Sequence, residues 1–346
     1  MGMGSDLNFG LMVSGLGLFL LWLANMADRS LLSQYRKTGF ILAAVVYTVM
    51  VLAFLGMLFQ NISVVTSKIV KHGNVIKVIT PKDISFIEGL GSGFSSTGKF
   101  LLILMPFIGF LVLLKPLRRL IAHLIPIDPD RLVHTSALAV SIMFIWNFIL
   151  PVYYGVNQST DSVIYVAEPK EKILEEGLLF VFELSLSFVG VGWLSRRSFK
   201  ACLKRLKIVV PTGRQVLIAV IVGAGSRLIF SSVSYFAMYL EIWSLPMRNW
   251  SFVFTFLIAG VGAGVAEETL MRGVLLPRFG LLFTSVLFAV LHTHGLTFYT
   301  LVPFLYGLIF GLIYKRYNTP TAMVAHATAN ITSSLITKIL FYTRPF

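Results

Sequence analysis

Two adjacent carboxylates and an arginine stand in the stretch Ala263–Gly273, AGVAEETLMRG, where nearly every neighbour is apolar. Glu268 and Arg272 are four residues apart, so on a helix they share a face and can form an internal ion pair. Glu267 points about 100° away, which leaves one acid over. Each charge in such an apolar setting costs about 2.5 to 3.5 kcal/mol, so each is a functional candidate. Histidine recurs in the same part of the chain: Phe288 and His292 in FAVLHTHG, and His326 and Asn330 in VAHATAN, are pairs at the same four-residue spacing. A carboxylate, two imidazoles and an amide suit hydrolysis. Glu267 can take a proton from water, His292 can share or orient that water, and His326 with Asn330 can donate hydrogen bonds to the oxyanion of a tetrahedral intermediate. Glu267, His292 and His326 also offer a ligand set for zinc. No HExxH motif is present and asparagine is a poor zinc ligand, which favours direct acid/base chemistry.

These groups must be held by membrane-spanning helices. The chain of 346 residues is 56% hydrophobic and 13% charged, with a mean hydropathy of +0.83, far outside the balance of a soluble domain. Apolar runs at 9–26, 39–60, 99–115, 134–155, 177–195, 215–240, 250–276, 279–294, 297–314 and 319–341 predict an all-α polytopic bundle of about ten spans. Lys and Arg crowd the odd-numbered connections, which predicts both termini outside and those connections in the cytoplasm. Spans seven and eight share a connection near Pro277, and spans nine and ten share one at Lys315–Thr319. Counting inward from that side at about 1.5 Å per residue, Glu267, His292, His326 and Asn330 fall at roughly 14, 20, 10 and 16 Å. All four therefore reach similar depths.

The remaining segments read differently. The pattern around His72-Gly73-Asn74 predicts a short exterior hairpin, and Val156–Glu176 a polar loop. Residues 196–214 are basic, with Phe199, Cys202, Leu203 and Leu206 at helical spacing, as for a helix on the inner membrane surface. This connector divides the chain into an N-terminal region, 1–195, of about five spans and a C-terminal region, 215–346, that carries the candidate site. Glu183 and Arg227 are expected to pair across spans five and six. His294 is off the face of His292 and is read as a span-end residue. The net charge of +14 flanks apolar spans instead of forming one stripe, which points to anionic lipid headgroups and away from nucleic acid. The single cysteine, Cys202, rules out an intrachain disulfide. There is no internal repeat.

In their order along the chain, Glu267-Glu268-x-x-x-Arg272, Phe288-x-x-x-His292 and His326-x-x-x-Asn330 resemble the three motifs of the CPBP (Abi) family, the CAAX prenyl endopeptidases and bacteriocin-processing intramembrane proteases. The resemblance covers residues 215–341. It implies a helical intramembrane endopeptidase in which Glu267 and His292 activate water, His326 and Asn330 stabilise the oxyanion, and Glu268, Arg272 and Phe288 support the site. It also implies a membrane-protein or lipidated peptide substrate, while the single cysteine and the unmatched N-terminal half point to a bacterial plasma membrane. Two other readings compete. One is a non-catalytic immunity or regulatory protein of the same fold, against which stands the presence of every presumed catalytic group. The other is a proton-coupled transporter using Glu183, Arg227 and Glu267, against which stand the missing repeat and the concentration of polar groups in one half.

Overall fold

Uninterrupted apolar runs with few breakers form long helices. The computed structural model describes residues 3–66, 68–72, 75–79, 96–153, 169–240, 260–292 and 300–342, and their contacts separate into two units. One unit comprises Met1–Leu18, Ala167–Ser285 and Phe304–Phe346; the other comprises Phe19–Val166 and Val286–Pro303. The elements in chain order are α1 (Met3–Leu31), α2 (Arg36–Thr66), β1 (Lys68–His72), β2 (Val75–Ile79), α3 (Ser96–Leu113), α4 (Lys115–Ile121), α5 (Leu132–Tyr153) and α6 (Pro169–Gly190). There follow α7 (Phe199–Arg205), α8 (Gly213–Leu240), α9 (Ala263–Glu268), a π-helical turn (Thr269–Leu275), α10 (Leu276–Leu291), α11 (Leu301–Arg316) and α12 (Thr319–Tyr342). The protein is a helical, membrane-spanning one. Among the described residues three helical stretches are long and apolar enough to cross a bilayer: Arg36–Phe59, Gly213–Ser232 and Gly260–Leu291.

In the unit containing α2 to α5, helices α2, α3 and α5 pack on one another. The carboxylate of buried Asp28 accepts the Leu132 and Val133 amides at 2.8 and 3.2 Å. It thereby satisfies orphan donors at the start of α5, where the helix dipole favours negative charge. Arg118 is buried too and is satisfied by oxygen: it donates to the carbonyls of Pro129, Val112 and Leu113 and to the Tyr47 hydroxyl. Strands β1 and β2 pair antiparallel from Lys68↔Ile79 to His72↔Val75, which is the expected hairpin; Gly73 and Asn74 lie outside the described residues.

The other unit is organised around α12, which runs along α8 and packs on α9. Close approach requires glycine: a Cβ on Gly223 would stand 2.3 Å from the Ala325 carbonyl oxygen, and one on Gly264 3.0 Å from that of Met323. Both of those carbonyls lie just before His326 on α12. Two boundaries differ from the sequence expectation. Residues 156–168 of the anticipated polar loop lie outside the described residues, but α6 already begins at Pro169, because proline is suited to a first helical turn. The break expected near Pro277 falls instead at Gly280, with φ 76° and ψ 170°, a conformation that a glycine adopts without steric cost.

The connector is shorter and more deeply docked than a helix lying on a membrane surface. Ser198 caps α7 by accepting from the Ala201 amide at 3.3 Å. Cys202 and Leu206 are fully buried and pack with Val191, Phe188, Trp193, Ile208 and Val274. Thr319 donates its hydroxyl to the Leu206 carbonyl and its amide to that of Lys207, so the connector fixes the start of α12. Lys200, Lys204 and Lys207 remain exposed. Burial pushes the Cys202 thiol up, against the smaller downward pull of Arg197 and Arg196. Because the thiolate is the nucleophile, iodoacetamide should label Cys202 in the native protein at neutral pH at least about tenfold more slowly than after denaturation. Equal rates would mean that the connector is not docked.

Candidate active site

Glu268 is fully buried at the end of α9. Its Oε1 accepts from Arg272 Nη1 at 2.8 Å and from His326 Nδ1 at 2.9 Å. Arg272 is 2% exposed and donates Nη2 to the Gly307 carbonyl at 3.3 Å. Its guanidinium lies 5.5 Å from the centroid of the Phe310 ring, which stacks on the His326 imidazole at 4.9 Å and 20°. Four side chains from three segments thus lock together: Glu268 and Arg272, Phe310 of α11, and His326 of α12. The Glu268–Arg272 pair forms at the four-residue spacing, although the backbone from Thr269 onward is π-helical. Such widened turns recur at functional sites.

Glu267 is half-buried on α9. Arg272 lies within electrostatic reach of both acids, Glu268 more strongly than Glu267, so the arginine does not serve one carboxylate alone. Asn330 is half-buried one turn after His326 on α12, and its carbonyl accepts from Ser334 Oγ at 3.1 Å. In the other unit, buried Phe288 and exposed His292 lie at the end of α10. His292 Nδ1 is 2.8 Å from the Phe288 carbonyl oxygen, and the two rings are 4.1 Å apart between centroids. His294 lies outside the described residues.

Sequence reasoning placed Glu268 against Arg272 but turned only Glu267 towards His326; the hydrogen bond to His326 is made by Glu268. It also passed over Phe310 and the Gly307 carbonyl, since an aromatic and a glycine in an apolar helix read as packing. Arg227, expected opposite Glu183, faces Tyr306.

Among the described residues no three His, Cys, Asp or Glu side chains converge as a metal-binding set.

The network falls inside a stretch that is similar to known proteins: residues 249–332 match the family described as Rce1-like, type II CAAX prenyl endopeptidase Rce1-like. This segment of the chain is similar to the Rce1-like family. The family is a protease family, and the Rce1-like segment contains all three motifs, from Glu267 to Asn330. No curated protein matches the chain, and no solved structure does.

Proposed function

We propose that this protein is an intramembrane endopeptidase that hydrolyses a peptide bond near the cytoplasmic membrane face. The observation that carries the reading is the buried Glu268–Arg272–His326 network within the Rce1-like segment. Glu267 takes the proton of the attacking water, whose oxygen adds to the scissile carbonyl carbon. His326 and Asn330 donate to the resulting oxyanion. As the tetrahedral intermediate collapses, the C–N bond breaks and the proton passes to the departing amine.

The two histidines suit different roles because their partners differ. A backbone carbonyl only accepts, so His292 carries its proton on Nδ1, towards Phe288. Its Nε2 then presents a lone pair to water, the form needed to share or orient the nucleophile. His326 gives its Nδ1 proton to a carboxylate, the partner able to accommodate an imidazolium whose Nε2–H is an oxyanion donor.

About ten spans, with both termini outside a bacterial plasma membrane, complete the proposal, and the exposed connector lysines meet anionic lipid headgroups. The substrate is a membrane protein or lipidated peptide. Comparing membrane proteomes of wild-type cells and cells carrying Glu267→Ala should reveal intact substrates that accumulate only in the variant, with their cleavage products missing. Identical proteomes would favour the immunity or regulatory reading. Chelators should leave cleavage by the purified protein unchanged; loss of activity restored by zinc would replace the acid/base mechanism.

A further inference from the structure

Three basic connections meet at one end of the unit that holds Glu268 and His326. Arg205, at the end of α7, donates Nη1 to the Gly273 carbonyl of the π-helical turn at 3.3 Å. Leu206 packs against the same glycine, where an added Cβ would lie 3.0 Å from the leucine Cδ2. Lys207 places Nζ 4.7 Å from the centroid of the Tyr314 ring on α11, and the Leu206 and Lys207 carbonyls hold Thr319 at the start of α12. What gathers there is positive charge. Arg205 is half-buried; burial, Arg278 and Arg197 hold its guanidinium below the ordinary arginine range, and the Tyr314 phenol acts the other way. Acids are scarce: from Leu184 to Phe346 the chain holds only Glu241, Glu267 and Glu268. Glu241 lies outside the described residues. Glu268 stands about ten residues before Arg278, on the order of 15 Å along the helix, and is already held by Arg272 and His326.

Like charges gathered in partly desolvated positions repel one another. An anion with several acceptor oxygens relieves that repulsion through charge-assisted hydrogen bonds. The residues beside the cations are apolar and open: Leu194 is 65% exposed, Phe199 51%, Val209 58% and Val210 89%. A phosphate group with acyl chains attached satisfies both features, whereas free phosphate satisfies only the first. We propose that Arg197, Arg205, Lys207 and Arg278 bind the headgroup phosphate of an anionic membrane phospholipid, which clamps the connector onto the segments that carry Glu268 and His326. Gly273 adjoins Arg272 and Thr319 begins α12, so the clamp acts at the base of both parts of the buried network. A lipid held by a defined arginine cluster goes beyond the general attraction of exposed lysines to a charged membrane surface. This site asks for no reaction and stands or falls independently of the protease reading.

The test titrates the full chain in neutral detergent with short-chain phosphatidylglycerol, phosphatidylcholine or inorganic phosphate, and reads binding from the rise in unfolding temperature. Phosphatidylglycerol should bind at least about tenfold more tightly than phosphatidylcholine, whose choline cancels the phosphate charge. Arg278→Gln should reduce that preference at least about threefold, and Arg205→Gln/Arg278→Gln should erase it. Arg278 is exposed, so the single variant decides the matter even if the double variant fails to fold. Arg36→Gln removes a basic residue from the other unit and should leave the preference unchanged. Equal affinity for the two lipids, or an undiminished preference in Arg278→Gln, would overturn the proposal. So would an equal loss in Arg36→Gln, which marks diffuse surface charge, and so would inorganic phosphate stabilising the chain as well as the lipid does, which marks a free-phosphate site. Bound phosphatidylglycerol should also slow iodoacetamide labelling of Cys202, within the connector, severalfold in the wild type but not in Arg278→Gln. Labelling that ignores the lipid would remove the clamp.

Discussion

Glu267→Ala and His292→Ala should each abolish detectable peptide cleavage while the protein remains folded. The expected loss is at least about 10²- to 10⁴-fold, the contribution of a positioned proton-transfer group. The argument for Glu267 begins with its neighbours. Glu268 is consumed by two charge-assisted contacts, with Arg272 and His326, and lies out of solvent's reach. Glu267 is half-buried on another face of the same helix. Arg272 acts on it more weakly than on Glu268. For His292 the argument is the tautomer. With Nδ1–H held by the Phe288 carbonyl, alanine at position 292 removes the Nε2 acceptor. Thermal unfolding curves should therefore match the wild type in both variants. Full activity in either one, measured on a substrate identified by proteomics, would refute the assigned water activation.

How much of this was visible in the sequence depends on the kind of spacing involved. The Glu268–Arg272 pair was legible because a four-residue interval fixes two side chains on one helical face, and the pair closes at 2.8 Å. The hairpin at β1 and β2 was legible because alternation has a period of two. The partner of His326 was not. Periodicity within a helix says which residues share a face, but it cannot say which of two adjacent acids faces a helix some 60 residues away in the chain. That choice is set by the packing of α9 on α12, where Gly264 lets the backbones approach, and by the π-helical turn that follows Glu268. Neither is written in a hydrophobic pattern. Phe310 was invisible for a related reason: its role comes from lying between Arg272 and His326, a relation among three segments. The break at Gly280, three residues beyond Pro277, was displaced because proline is tolerated in a first helical turn, whereas φ 76° requires the glycine.

His326→Ala is expected to lower kcat by about 10²- to 10³-fold with KM little changed, the signature of a donor that acts on the oxyanion and not on the bound substrate. Asn330→Ala should lose a similar factor. Glu268→Gln discriminates the roles further. Its amide lacks the charge that offsets an imidazolium, and it can present its own N–H to Nδ1. Either change deprives His326 of the Nε2–H that an oxyanion needs. Glu268→Gln should therefore lose nearly as much kcat as His326→Ala, and the double variant should be no slower than His326→Ala alone, because groups that act as one unit are not additive. Arg272→Ala should behave differently. It strands a buried carboxylate and should cost about 3 to 5 kcal/mol of stability, which unfolding measurements would register before any rate is read. Additive losses in the Glu268→Gln/His326→Ala double variant would mean that Glu268 acts on the reaction independently of His326, and the positioning role assigned to it would fall.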